Sequence, residues 1–119
     1  MLFICYPKCS TCKKAEQFLQ KNTIAYDYRD IKEKNPTVKE SKTWQKKSGL
    51  PMKKFFNTSG MLYRDMGLKD KLDSMTDDEM AQLLATDGML VKRPLLITDK
   101  TVLVGFKEKE WVEGLHKRN

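Results

Sequence analysis

The chain has 119 residues, room for one compact domain and no second one. Hydrophobic residues make up 39% of it and charged residues 33%, and no apolar run approaches the ~20 residues a membrane span needs, so a soluble globular protein is expected. The net charge of +7 is uneven: between positions 32 and 54 eight lysines face only Glu33 and Glu40, whereas acids dominate positions 69–87. A solvated helix face accounts for such runs as well as an acidic partner does, and no DNA-reading motif is present, so direct nucleic-acid binding is not expected.

Residues 2–6 form a short apolar run before Pro7. It lacks a basic flank and a long apolar stretch, so it reads as a buried first strand and not as a signal peptide. A cytoplasmic, reducing location follows as an expectation. Ser10 and Thr11 offer hydroxyls for a helix N-terminus, and Ala15, Phe18 and Leu19 recur at helical spacing up to about Asn22. Residues 24–28 alternate with period two and predict a second strand. Pro36 suits a first helical turn and Gly49 a stop, and Pro51 opens a short helix through Phe55 and Phe56. Asn57-Thr58-Ser59-Gly60 is a loop. Thr76-Asp77-Asp78-Glu79 is a capping box leading into Met80, Leu83 and Leu84, with Gly88 as the stop. Residues 95–98 and 102–104 predict a hairpin turning at Asp99-Lys100, and Trp111, Val112 and Leu115 mark a closing helix. The order β-α-β, then helices, then β-β-α is an α/β, thioredoxin-like arrangement. It makes one domain, 1–119, with a helical insertion at about 36–87.

Cys9-Ser10-Thr11-Cys12 is a C-x-x-C between a predicted strand and a predicted helix, the context of a dithiol redox motif. Helix N–H groups and the nearby Lys8, Lys13 and Lys14 favour an anion there, so Cys9 should be the thiolate nucleophile and Cys12, one turn on, the resolving thiol. Two other readings compete. With Cys5 the spacing becomes C-x3-C-x2-C, as in four-iron cluster cradles, but those enzymes need a far larger barrel. A structural zinc site wants four ligands, and only His116 could join the three cysteines. No metal site is therefore expected, and Cys5, within the predicted strand, reads as a buried inert thiol.

The motif Tyr6-Pro7-Lys8-Cys9-Ser10-Thr11-Cys12-Lys13-Lys14-Ala15 continues in Lys53-Lys54-Phe55-Phe56-Asn57-Thr58-Ser59-Gly60, Asp87-Gly88-Met89-Leu90, Lys92-Arg93-Pro94-Leu95 and Val104-Gly105-Phe106. Over nearly its whole length the chain thereby resembles the arsenate reductase (ArsC)/Spx family. The resemblance implies a thioredoxin-like core with a helical insert, Cys9 at the nucleophile position, and a cis proline at Pro94 with Arg93 facing an anionic site. Of the four arginines, Arg29, Arg64, Arg93 and Arg118, only Arg93 lies in a matching motif, and Asn57 stands where glutaredoxin-coupled reductases carry another arginine. Weak arsenate binding is expected from that departure. Cys12 is the mark of the Spx-like branch, whose members use the C-x-x-C as a redox switch while binding RNA polymerase.

The leading expectation is thus an enzyme, a thiol-disulfide oxidoreductase related to arsenate reductase, with Cys9, Cys12 and Arg93 as its site. No bound cofactor is expected, and electrons would come from an external thiol reductant such as glutathione with glutaredoxin, or thioredoxin. The partner would be that reductant or a disulfide substrate protein. The alternative is a Spx-like redox-sensing transcriptional regulator that binds the RNA polymerase α subunit.

Overall fold

Strand alternation divides the protein into two packed layers. In the computed structural model, which describes residues 1–116, β1 (Leu2–Cys5) contributes Phe3 and Cys5 to one apolar cluster and Leu2 and Ile4 to another. The first cluster takes Cys12, Ala15, Phe18 and Leu19 from α1 (Ser10–Lys21) and Trp111 from α6 (Glu108–His116). The second takes the helices of the insert, between residues 38 and 90. Four strands make one sheet, in the order β2 (residues 27–30), β1, β3 (residues 95–97) and β4 (residues 102–104). β2 (Asp27–Asp30) is parallel to β1, so the chain must cross over between them, and α1 is that crossover. β3 (Leu95–Ile97) is antiparallel to β1, and β4 (Val102–Val104) returns beside β3 as the expected hairpin. The β-α-β, helical insert, β-β-α order is the thioredoxin-like fold read from the sequence.

β2 differs from its sequence reading in position. Residues 24–28 alternate, yet the ladder pairs Leu2 with Asp27 and runs to Asp30. Ile24 closes back on α1 through its N–H to the Leu19 carbonyl (3.0 Å), just after Thr23 takes a positive φ of 57°. The alternation therefore records side chains covering the first cluster, Ile24 and Tyr26, before the hydrogen-bonded strand begins.

In the insert, α2 (Val38–Ser48) starts after Thr37, whose hydroxyl accepts from the Glu40 N–H while the Glu40 carboxylate accepts from the Thr37 N–H. Gly49, at φ 73°, ends it as expected. The segment after Pro51 is a single 3-10 turn, Met52–Phe55. Two short helices follow, α3 (Met61–Asp65) and α4 (Leu68–Lys71), and then α5 (Asp77–Leu84) behind the Thr76–Glu79 capping box. α5 stops at Ala85, before Gly88. Gly88 has another role: a Cβ there would strike the Ile31 carbonyl, so it lets the end of the insert lie directly on the end of β2.

The uneven charge seen in the sequence is partly complementary across the insert. Lys42 of α2 pairs with Asp78 of α5, and Lys53 lies 3.9 Å from Asp73. All four groups are exposed, so these pairs contribute little to stability. Arg29 differs. Largely buried at the edge of the sheet, with 11% of its side chain exposed, it donates to both Glu40 oxygens (2.7 and 2.8 Å) and to the carbonyls of Lys34 and Asn35, fastening the start of α2 to β2. The hydrogen bonds from Arg29 hold the Glu40 carboxyl at about 2, below its usual 4.5. A depressed carboxylate contributes stability that is present above the unfolded value and is lost as pH falls toward the folded one. Urea denaturation should therefore show the wild-type protein losing stability between about pH 4.5 and about pH 2. Glu40→Gln should be less stable at neutral pH and flatter across that window. Parallel pH profiles for the two proteins would show that the ion pair is not what fastens α2.

Candidate redox site

Cys9 occupies the N-cap of α1. The turn after β1 closes through the Cys9 N–H to the Tyr6 carbonyl (3.0 Å), which leaves Cys9 extended (φ −88°, ψ 124°) while its own carbonyl already accepts from the Lys13 N–H (3.1 Å). Ser10 and Thr11, expected to cap with their hydroxyls, are instead the first helical residues, and the thiol stands in the place a capping oxygen usually fills. No acid lies in the first turn to compete for the free N–H groups. Partial burial pushes the Cys9 thiol up. The Cys12 N–H, the Arg93 guanidinium and the Thr11 N–H together outweigh that burial, so its pKa lies below the ordinary thiol value.

Arg93 reaches this point from the segment that leads into β3, the strand beside β1. The Arg93–Pro94 bond is cis, as the sequence resemblance implies, and it precedes β3 directly. The guanidinium stacks over Tyr6, with Cζ 5.3 Å from the ring centroid, and Nη1 lies 3.9 Å from the Met89 sulfur. Its Nε is buried with no hydrogen-bond partner among the described residues, a donor held beside the thiol and otherwise unused. Both residues open on a cleft of about 720 Å³ whose wall also carries Asn57, Lys53, Lys92 and Lys107. That is an electropositive pocket with a low-pKa thiol at its edge. Arg93 is the one arginine on its wall among the described residues. Arg29 is committed to Glu40, Arg64 bonds the Ser59 carbonyl (3.4 Å), and Arg118 lies outside the described residues.

Cys12 departs from the sequence reading. Its expected partner was Cys9, but it is joined in a disulfide to Cys5, with Cα atoms 5.8 Å apart, and Cys9 is the free thiol. Cys5 and Cys12 are each only 2% exposed, packed in the cluster with Phe3, Ala15 and Leu19. The Tyr6 N–H donates to the Cys12 sulfur (3.3 Å). The inert thiol assigned to Cys5 is therefore corrected. A signal for it was available: Cys5 shares the strand face of Phe3, and Cys12 falls on the same helical face as Ala15 and Leu19, so the two cysteines meet where those faces pack. Among the described residues no group of three or more His, Cys, Asp or Glu side chains converges as metal ligands, and none of the described helices is long and apolar enough to cross a membrane.

Comparison with known proteins bears on the family and the fold. The model of the ArsC family matches residues 5–113, the span that holds all three cysteines and Arg93. The uncharacterized protein YusI of Bacillus subtilis is 49% identical over 96% of this chain and 97% of its own. The crystal structure of a putative ArsC family related protein from Bacteroides fragilis is 55% identical, covers 94% of each chain and superposes with a TM-score of 0.92. The global transcriptional regulator Spx of Staphylococcus epidermidis is more distant, 27% identical over 87% of this chain and 78% of that protein. With its thioredoxin-like core, its helical insert and its Cys9–Arg93 pocket, this chain belongs to the ArsC family.

Proposed function

We propose that the protein is a thiol-disulfide oxidoreductase in which Cys9 attacks and Cys12 resolves. The observation that carries this reading is the half-exposed Cys9 thiol at a helix N-cap, beside an unpartnered Arg93 donor, with a second cysteine three residues on. The lowered pKa raises the share of Cys9 present as thiolate, and thiolate is the species that attacks disulfide sulfur. Arg93 steadies that anion before attack and again whenever Cys9 leaves as a thiolate. The lysines on the cleft wall favour an acidic thiol or disulfide partner, and electrons return from an external thiol reductant such as thioredoxin or glutathione with glutaredoxin.

Arsenate is a weaker fit. A multiply charged oxyanion is best gripped by several planar, two-pronged guanidinium groups, whereas lysines are single hydrated charges and the wall carries one arginine. The test is turnover with a small-molecule disulfide and with arsenate, each supplied with thioredoxin or glutaredoxin systems. Disulfide reduction that requires Cys9, with arsenate turnover at least about tenfold slower, is expected; that ratio corresponds to about 1.4 kcal/mol of transition-state stabilisation. Fast arsenate reduction abolished by Arg93→Ala would reverse the substrate assignment. The similarity to Spx supports a second reading, a redox-sensing regulator that binds the RNA polymerase α subunit. Binding of that subunit that changes with the oxidation state of the cysteines, with no disulfide turnover, would favour it.

A further inference from the structure

We propose that the three cysteines form a relay in which the disulfide is made at Cys9, passed to Cys12 and stored between Cys12 and Cys5, which returns Cys9 to the surface as a free thiol. The relay rests on the reading of Cys9 as nucleophile and adds to it the final location of the oxidising equivalents. Cys5 is the residue the two-cysteine scheme leaves unused, yet it is bonded to the very sulfur that scheme needs.

The steps balance as three thiol-disulfide exchanges. The Cys9 thiolate attacks a disulfide RS–SR′, forming Cys9–S–SR and expelling R′S⁻. The Cys12 thiolate attacks the Cys9 sulfur, forming Cys9–Cys12 and expelling RS⁻. The Cys5 thiolate then attacks the Cys12 sulfur, forming Cys5–Cys12 and expelling the Cys9 thiolate. Two electrons pass from the Cys5 and Cys12 thiols to the external disulfide, and their two protons go to the released thiols. No other oxidant or reductant enters.

Position decides the direction of the last step. Cys5 and Cys12 are almost fully enclosed by Phe3, Ala15 and Leu19, where a thiolate would be costly and an uncharged disulfide is well accommodated. Cys9 sits on the cleft with helix N–H groups and Arg93 around it, where a thiolate is favoured. Exchange is faster when the departing thiol has the lower pKa, so Cys9 is the better leaving group of the pair. The geometry also allows the hand-over. Cys12 lies in the first turn of α1, three residues after Cys9 at its N-cap, and the Tyr6 N–H donates to the Cys12 sulfur (3.3 Å), ready to steady its transient thiolate. Run backwards, the same steps give a reductant access to a bridge it cannot touch directly, because Cys9 is the only one of the three sulfurs on the surface.

The test uses the full-length, fully reduced protein and an excess of dithiobis(nitrobenzoate), whose coloured thiolate reports each attack. After an acid quench, the protein is unfolded, alkylated, weighed intact and mapped by peptide fragmentation. The relay predicts a Cys5–Cys12 bridge and one aryl group retained on the re-exposed Cys9, hence three coloured thiolates per chain. Cys5→Ala and Cys5→Ser should stop one step earlier, with a Cys9–Cys12 bridge, two coloured thiolates and no retained aryl group. The wild-type map does not depend on either variant folding. A wild-type protein that ends as Cys9–Cys12, with Cys5 alkylated after unfolding, would overturn the relay while leaving the nucleophile assignment intact. Rapid colour release by Cys9→Ser would instead overturn the nucleophile assignment, and the relay with it.

Discussion

Replacing Cys9 by serine should reduce thiol exchange to background, whereas Cys12→Ser should keep the first attack and accumulate mixed disulfides on Cys9. The difference follows from access and charge. Cys9 has the N-cap position, the Thr11 and Cys12 N–H groups and the Arg93 guanidinium, and it opens on the cleft. Cys12 is 2% exposed and one turn into the helix. In reduced protein, iodoacetamide should therefore label Cys9 much faster than Cys12 or Cys5, and labelling should rise with pH around a midpoint below that of an ordinary thiol. Arg93→Ala removes both a donor and a positive charge from beside the thiolate, so the midpoint should move up and labelling at neutral pH should slow several-fold. Arg93→Lys should recover part of the charge effect without the fixed fork of donors. Equal labelling of Cys9 and Cys12, or a midpoint unmoved by Arg93→Ala, would mean that the reactive thiol owes its state to something other than this pocket.

The parts of this site that were legible in the sequence are local ones. A thiol placed at a strand-to-helix junction needs only its neighbours to be recognised, and Arg93 announced itself through the proline that follows it. The hairpin of β3 and β4 was equally plain, because Leu95, Leu96 and Ile97 and then Val102, Leu103 and Val104 are apolar runs split by a short polar turn. What the sequence hid was decided by packing between distant faces. Cys5 and Cys12 are seven residues apart, but they are joined because a strand face and a helix face close on each other, and the C-x-x-C spacing drew attention to Cys9 and Cys12 instead. α3 and α4, of five and four residues, are too short to express a helical period. Tyr63 and Leu68, the residues they bury, hold them in place through the insert core. The real ladder of β2, Asp27-Tyr28-Arg29-Asp30, is largely polar, since a sheet edge beside solvent gives hydrophobic alternation little to record.

Trp111→Ala should be the most destabilising single change away from the cysteines. The indole is completely buried, and the rings of Phe3, Phe18 and Phe106 meet it edge-on with centroids 6.3, 6.2 and 5.0 Å away. Its N–H donates to the Gly105 carbonyl (2.8 Å), which ties the bend after β4, where Gly105 takes a φ of 73°, to the closing helix. Truncating a buried aromatic of this size costs about 3–5 kcal/mol, a large share of the ~5–15 kcal/mol that holds an ordinary domain folded. Trp111→Phe keeps most of the packing and loses the hydrogen bond, so it should cost about 1–3 kcal/mol, the penalty for leaving a buried carbonyl unmatched. Urea denaturation of reduced protein would rank the two. The site should respond differently from the fold. Phe106 lines the cleft and leans on Trp111, but the Cys9 thiolate is held by the N-terminal end of α1 and by Arg93, whereas the indole meets the helix at Phe18. Under conditions where Trp111→Ala remains folded, the pH midpoint for Cys9 labelling should stay within a few tenths of a unit of wild type, since each full unit would need about 1.4 kcal/mol of changed interaction at the thiolate. A midpoint that climbs with the loss of stability would show that the closing helix, through the 105–106 bend, also sets the electrostatics of the pocket.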